Sequence, residues 1–172
     1  DDLAGTVLVF DKPGMWFSAW INLGLDHIYA HATATEILCI GSDARGHATS
    51  VEKLRAGLRK HNLVMAGPDW HNMSAGADHV GFGATDKRTL WHRVPGACFM
   101  LAAEHRLRMD ETFRWWYSDD DLEMRARQIG HVGLIPGTGL VHEQDHPLNA
   151  EQTLHAAQDR QRFIDKHGTE PW

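Results

Sequence analysis

The 172 residues are 42% hydrophobic and 23% charged, enough for one domain with a real core and too few for two ordinary ones. A net charge of −6 with Lys and Arg interspersed disfavours a general nucleic-acid surface, because phosphate binding needs clustered cations. There is no run of eighteen apolar residues, no basic-then-apolar leader and no lipidation motif, so the expectation is a cytoplasmic protein without membrane insertion.

The chain opens at Asp1 rather than at Met, and a longer native N-terminus is expected. Thr6 to Phe10 (Thr-Val-Leu-Val-Phe) reads as a short buried strand ended by the turn Asp11-Lys-Pro-Gly14. Phe17 to Tyr29 places Phe17, Trp20, Ile21, Leu23, Leu25 and Ile28 at helical spacing, with Asn22 and Gly24 interrupting the pattern. Ala34 to Ile40 is a second strand, stopped by Gly41-Ser42-Asp43. A strand, helix, strand succession predicts a parallel α/β sheet whose binding crevice lies at the carboxyl ends of the strands. Ser50 to His61 reads as an amphipathic helix capped by Ser50, with Val51, Leu54 and Leu58 on one face. Leu63 to Gly67 is a third strand, and Pro68 to Arg88 a loop region with one short strand at His79 to Phe82. Gly96 to Ala103 returns to an apolar segment, Val132 to Pro136 is strand-like, and Ala150 to Lys166 is a final helix ending at Gly168. Cys39 and Cys98 sit inside apolar runs, the usual place of small buried thiols rather than of a disulfide or thiolate zinc site.

The richest segment is Phe113-Arg-Trp-Trp-Tyr-Ser-Asp-Asp-Asp-Leu-Glu-Met-Arg125, preceded by Asp110-Glu111-Thr112 and followed by Gly130, Pro136 and His142. It sets three consecutive carboxylates behind an aromatic wall and ahead of a helical run, where one of them can serve a cleft as base or metal partner. The string resembles the acidic motif of inverting GT-A glycosyltransferases of the family 2 type. That motif runs Phe-Asp-Glu-x-Phe, four residues, Glu-Asp-x-Asp-Leu-x-x-Arg, then Gly, a strand ending near Pro, and a His. The count from Phe113 to Asp119 and Asp121 matches it without gaps, with Met109 in place of the first Phe and Ser118 in place of Glu.

The resemblance implies a GT-A fold, a Rossmann-like and mostly parallel sheet flanked by helices, in a single domain of residues 1–172 with 146–172 as a C-terminal helical extension. It implies that Asp119 deprotonates the acceptor hydroxyl. Ile-Leu-Cys-Ile-Gly-Ser-Asp43 is similar to the family's metal-binding strand end, retaining only the last carboxylate, with Gly41 at the first position. Asp43 and His142 are thus the implied ligands of a divalent cation, Mn²⁺ or Mg²⁺, with His146 the competitor to His142. Donor-binding residues implied in the same way are Asn22 and Gly24 in the first helix, Ser42 beside Asp43, Gly96 and Ala97 in the apolar segment, and Asp121. Asp121 points either into the site or onto its helix N-terminus, where it pairs with Arg125 one turn on. Trp115, Trp116 and Tyr117 offer a platform for a sugar ring, with at least one of them in the core. The family's first two strands have no counterpart, so Thr6 to Phe10 is expected to pair with a strand from outside these residues, upstream or on another subunit, or to lie at a sheet edge.

The implied activity is metal-assisted, inverting transfer of a hexosyl-type sugar from a nucleotide-sugar donor to the hydroxyl of a saccharide, small-molecule or protein acceptor. The alternatives are a non-catalytic or partner-dependent GT-A relic that binds nucleotide-sugar and, from another class, a metal-dependent hydrolase.

Overall fold

The computed structural model describes residues 15–31, 33–143 and 148–171. The expected strand Thr6 to Phe10 and His146 lie outside the described residues.

Helix α1 (Phe17–His31) is followed by strand β1 (Glu36–Ile40), the two-residue strand β2 (Ala44–Arg45) and helix α2 (Ala48–Lys60). The cap of α2 is His47 rather than Ser50; Ser50 sits three residues in, and its Oγ accepts the His47 N–H at 3.2 Å, as in a capping box. Next come β3 (Met65–Pro68), β4 (Val80–Phe82), β5 (Cys98–Ala102) and a short 3-10 turn at Ala103–His105. Helix α3 (Ser118–Ile129), β6 (Val132–Ile135), β7 (Val141–His142) and α4 (Ala150–His167) complete the described chain. Asn149 caps α4 by accepting the Gln152 N–H, and Gly168 ends it at φ 68°, in the left-handed region that glycine enters without a Cβ penalty.

The main sheet has the order β1-β5-β3-β6-β4, and β2 with β7 forms a separate two-stranded ladder. Only the β3–β6 pairing is parallel; β1–β5, β3–β5 and β4–β6 are antiparallel. The sheet of the described residues is therefore mostly antiparallel, which corrects the parallel expectation while keeping the α/β class. The cause is β5, which runs against both β1 and β3 and separates them. β1, β3 and β6 still share one direction, so their carboxyl ends fall on one edge of the sheet.

Both faces of that sheet are covered, which is why all five residues of β5 are buried. Side chains alternate between two cores. Ile37, Cys39, Phe99 and Leu101 face Leu25 of α1 and Leu122 and Ala126 of α3, whereas Cys98, Met100 and Ile135 face Leu54 and Leu58 of α2. Fully burying one such Leu or Phe is worth about 1.5–3 kcal/mol. Cys39 and Cys98 are free and buried, and desolvation pushes their thiols up to about 12 and about 11. No helix among the described residues is long and apolar enough to cross a membrane.

Helix α3 carries its carboxylates into the interior. Asp120, Asp121 and Glu123 are 1%, 0% and 0% exposed, and each is met by cations. Arg88 binds Asp120 and lies 3.2 Å from Glu123, Arg93 is 3.2 Å from Asp120, and Arg127 Nε donates to Glu123 at 2.8 Å. Glu123 Oε2 also accepts the Val94 N–H at 3.1 Å. Removing one partner from a buried ion pair leaves an uncompensated charge and costs about 3–5 kcal/mol. Glu123→Gln should therefore lower stability by about that amount, seen as a fall in melting temperature of roughly 10 °C or more. A melting temperature unchanged within a degree would show that the network does not hold α3 in place.

Candidate active site

The carboxyl end of β1 runs into the turn Gly41-Ser42-Asp43, which is fixed from two sides. The Gly41 N–H donates to Ala97 O at 2.8 Å, and the Asp43 carbonyl accepts the Glu143 N–H at 2.9 Å. The β2–β7 ladder pairs Ala44 with His142, which carries the His142 ring back over the turn. His142 Nε2 lies 3.0 Å from Asp43 Oδ2, between residues 99 apart in sequence. Two donor atoms bound at right angles about 2.1 Å from one hard cation would themselves be about 3.0 Å apart. The Asp43–His142 pair thus has a donor set and spacing that fit a divalent ion, with room for oxygens from a ligand, since the two side chains keep 37% and 22% exposure.

Asp119 stands on the other side of the same backbone. A Cβ placed on Gly96 would fall 2.5 Å from Asp119 Oδ2 and 3.0 Å from its Cβ, and one placed on Gly41 would fall 2.5 Å from Asp43 Oδ1. The adjacent residues Gly96 and Ala97 therefore link the two carboxylates, Gly96 by touching Asp119 and Ala97 by holding Gly41. The Asp119 side chain is only 13% exposed, with Arg93 at 3.5 Å. Burial, and then the neighbouring Asp120 charge, raises its carboxyl from 3.8 to about 6, against the opposing pull of Arg93. Such a group changes protonation close to neutrality, as a general base must.

Two other expected site residues, Asn22 and Asp121, have structural partners of their own. Asn22 is buried and its amide is fully used, donating to Met109 O at 3.0 Å and Glu111 Oε1 at 2.8 Å and accepting the Met109 N–H at 2.8 Å. It ties α1 to the segment ahead of the acidic motif instead of facing a donor. Asp121 is likewise a brace: Oδ2 takes Arg125 Nε at 2.9 Å, while Oδ1 meets His167 at 2.9 Å and Lys166 at 2.7 Å. Gly24 lies in the middle of α1, two positions from Asn22. Ser42 is an exposed residue of the turn beside Asp43. Trp115 packs towards Phe17 and Trp20 of α1, at ring separations of 6.2 and 6.4 Å, and keeps 41% exposure.

The aromatic surface beside His142 comes instead from Trp70, at the carboxyl end of β3. Its ring stacks on His142 at 5.3 Å and 13°, and its Nε1 donates to Leu140 O at 2.7 Å. Trp70, His71, Leu140, Val141 and His142 line an open cavity of about 320 Å³. Trp91, 48% exposed, meets His71 edge-on at 4.6 Å. Sequence reasoning missed Trp70, Trp91 and Arg93 because they lie in an irregular stretch; the one available signal was Trp70 two residues after a buried strand, where an α/β crevice opens.

No protein-family model matches the chain, and no curated protein is significantly similar to it.

The Gly96 contact is testable. Because the clash would reach the Asp119 Cβ and not only its tip, Gly96→Ala must shift the start of α3. Overpacking of this kind costs about 1–3 kcal/mol, to be read as a lower urea midpoint. An unchanged midpoint would mean that Asp119 does not rest on Gly96.

Proposed function

We propose that this chain is an inverting glycosyltransferase of the GT-A type, transferring a sugar from a nucleotide-sugar to an acceptor hydroxyl. The observation that carries the reading is the meeting of Asp43 and His142 at 3.0 Å on a turn that one short backbone segment links to Asp119, whose carboxyl is raised to about 6. Further support comes from the acidic motif around Asp119 and from the common direction of β1, β3 and β6, which gathers their carboxyl ends beside Asp43 and Trp70.

In this reading the acceptor oxygen attacks the anomeric carbon as the bond to the diphosphate oxygen breaks on the opposite side, and the hydroxyl proton passes to Asp119. One base opposite the leaving group inverts the centre. Arg93 limits the rise in the Asp119 carboxyl, so that it is a carboxylate at neutral pH yet basic enough to accept the proton. A divalent cation held by Asp43 and His142 would supply positive charge to the departing diphosphate. Gly41 and Gly96 keep both carboxylates close to the backbone, and the stacked Trp70 gives an apolar face on which a sugar or base can lie.

A panel of nucleotide-sugars screened by thermal shift with Mn²⁺ tests the reading, because a bound donor stabilises the fold by mass action. Transfer should then require Asp119: Asp119→Asn should lower it roughly 10²-fold or more without loss of donor binding. The sign of the pH effect follows from the raised carboxyl. Its stabilising contribution is complete below 3.8 and lost as pH rises through about 6. Wild-type transfer should accordingly fall as pH drops through about 6, while Asp119→Asn at pH 7.5 should unfold no earlier than wild type. An active Asn variant would sink the assignment, and tight nucleotide binding without turnover of any donor would identify a binding module instead.

The cation has its own test. Asp43→Ala should abolish the Mn²⁺ dependence of nucleoside-diphosphate binding and His142→Ala should weaken it less, because a hard cation relies more on the carboxylate. Calorimetric titration of the diphosphate with and without Mn²⁺ reads both, and metal dependence surviving in Asp43→Ala would rule this pair out.

A further inference from the structure

A cluster of two imidazoles and a carboxylate lies where the end of α2 meets the start of β4. His61 closes α2, its backbone N–H donating to Gly57 O at 3.1 Å. Asp78 and His79 come 17 and 18 residues later, directly before Val80 of β4. Each of the three offers one ligand atom within 4.8 Å of the other two. Asp78 touches both rings, with Oδ2 3.7 Å from His61 Nε2 and Oδ1 3.4 Å from His79 Nδ1. The two imidazoles stack face to face at 3.6 Å and 15°.

We propose that His61, Asp78 and His79 bind a borderline divalent metal ion of the zinc class, which fastens the β4 edge of the sheet to the end of α2.

Ligand type sets the class of ion. Two imidazoles and one carboxylate suit Zn²⁺, Co²⁺ or Ni²⁺, whereas Mg²⁺ and Mn²⁺ prefer an oxygen-rich set. Ligand atoms around a tetrahedral zinc lie about 3.3 Å apart, given bond lengths of about 2.0–2.1 Å. Side-chain rotation covers the difference: His79 and Asp78 keep 30% and 58% exposure, while His61, at 14%, is the anchor. The open side leaves a fourth position for water.

One cation already competes for the carboxylate. Lys60 pairs with Asp78 and must release it when the metal enters. β4 has most to gain from such a clip, since among the described residues it pairs with β6 alone and is only three residues long.

The test uses the chelator-treated chain, with Zn²⁺ and Mg²⁺ titrated calorimetrically and Co²⁺ as a visible-absorption probe. One Zn²⁺ should bind with micromolar or tighter affinity and raise the melting temperature; Mg²⁺ should not bind here. His79→Gln and Asp78→Asn, both at exposed positions, should each weaken Zn²⁺ at least tenfold and remove the Co²⁺ band, whereas Lys60→Met should tighten Zn²⁺ binding. Asp43→Ala should leave the Zn²⁺ affinity unchanged, which separates this site from the crevice whether or not the chain proves to be a transferase. No Zn²⁺ binding at 100-fold above micromolar concentration, or affinity that survives both His79→Gln and Asp78→Asn, or affinity lost in Asp43→Ala, would overturn the proposal.

Discussion

The interaction on which the rest depends is the buried contact of Glu123 with Arg127, Arg88 and the Val94 N–H. A carboxylate without exposed surface is costly in itself, and only close cations and directed hydrogen bonds offset the desolvation. Here those partners also set geometry. Arg127 comes from the same helix one turn on, whereas Arg88 and Val94 come from the irregular chain before β5. Their bonds fix that chain against α3. Gly96 is then held against Asp119, Ala97 O is held where Gly41 can reach it, and the Asp43 turn follows. A purely apolar layer could bury as much surface, but it would not fix the direction of the Val94 backbone.

The same layer explains why neighbouring carboxylates behave differently. Asp120 meets both Arg88 and Arg93, whereas Asp119 lies 3.5 Å from Arg93 and beside the Asp120 charge. At Asp119 these charges offset the desolvation only in part, which is why its carboxyl is raised. Compensation differs between consecutive residues because a helix turns its side chains by about 100° per residue, sending Asp120 towards the arginines and Asp119 towards the glycine.

Much of this was legible from sequence, within limits that have physical causes. The helices at Phe17, Ser50, Ser118 and Ala150 and the strands at Ile37, Met65, Cys98 and Val132 follow from apolar period and from breakers. Direction and order do not. Cys98 to Ala102 is a continuous apolar run, compatible with parallel or antiparallel pairing, because burial on both faces erases the alternation that would orient it. The β2–β7 ladder has two residues per strand, too short for any period, yet it is what carries His142 to Asp43. Asn22 and Asp121 carry polar groups that suit a ligand, and the sequence cannot show that Met109, Glu111, Arg125, Lys166 and His167 already satisfy them.

Helix α4 shows what the view of residues 146–172 as an extension leaves out. Asp159, with no exposed surface, accepts the backbone N–H groups of Arg114, Trp115 and Trp116 at 3.1, 3.0 and 3.2 Å. That aromatic run must end at Tyr117 with φ 62° before α3 can begin, a conformation that a bulky residue adopts only when its surroundings impose it. Three N–H groups converging on one buried carboxylate are such an imposition. Phe163, also without exposed surface, packs towards Tyr117 at a ring separation of 6.4 Å, and His167 and Lys166 hold Asp121. The first turn of α3 is therefore gripped from two directions, by the arginines before β5 and by α4. The setting of Asp119 against Gly96 is the joint product of both.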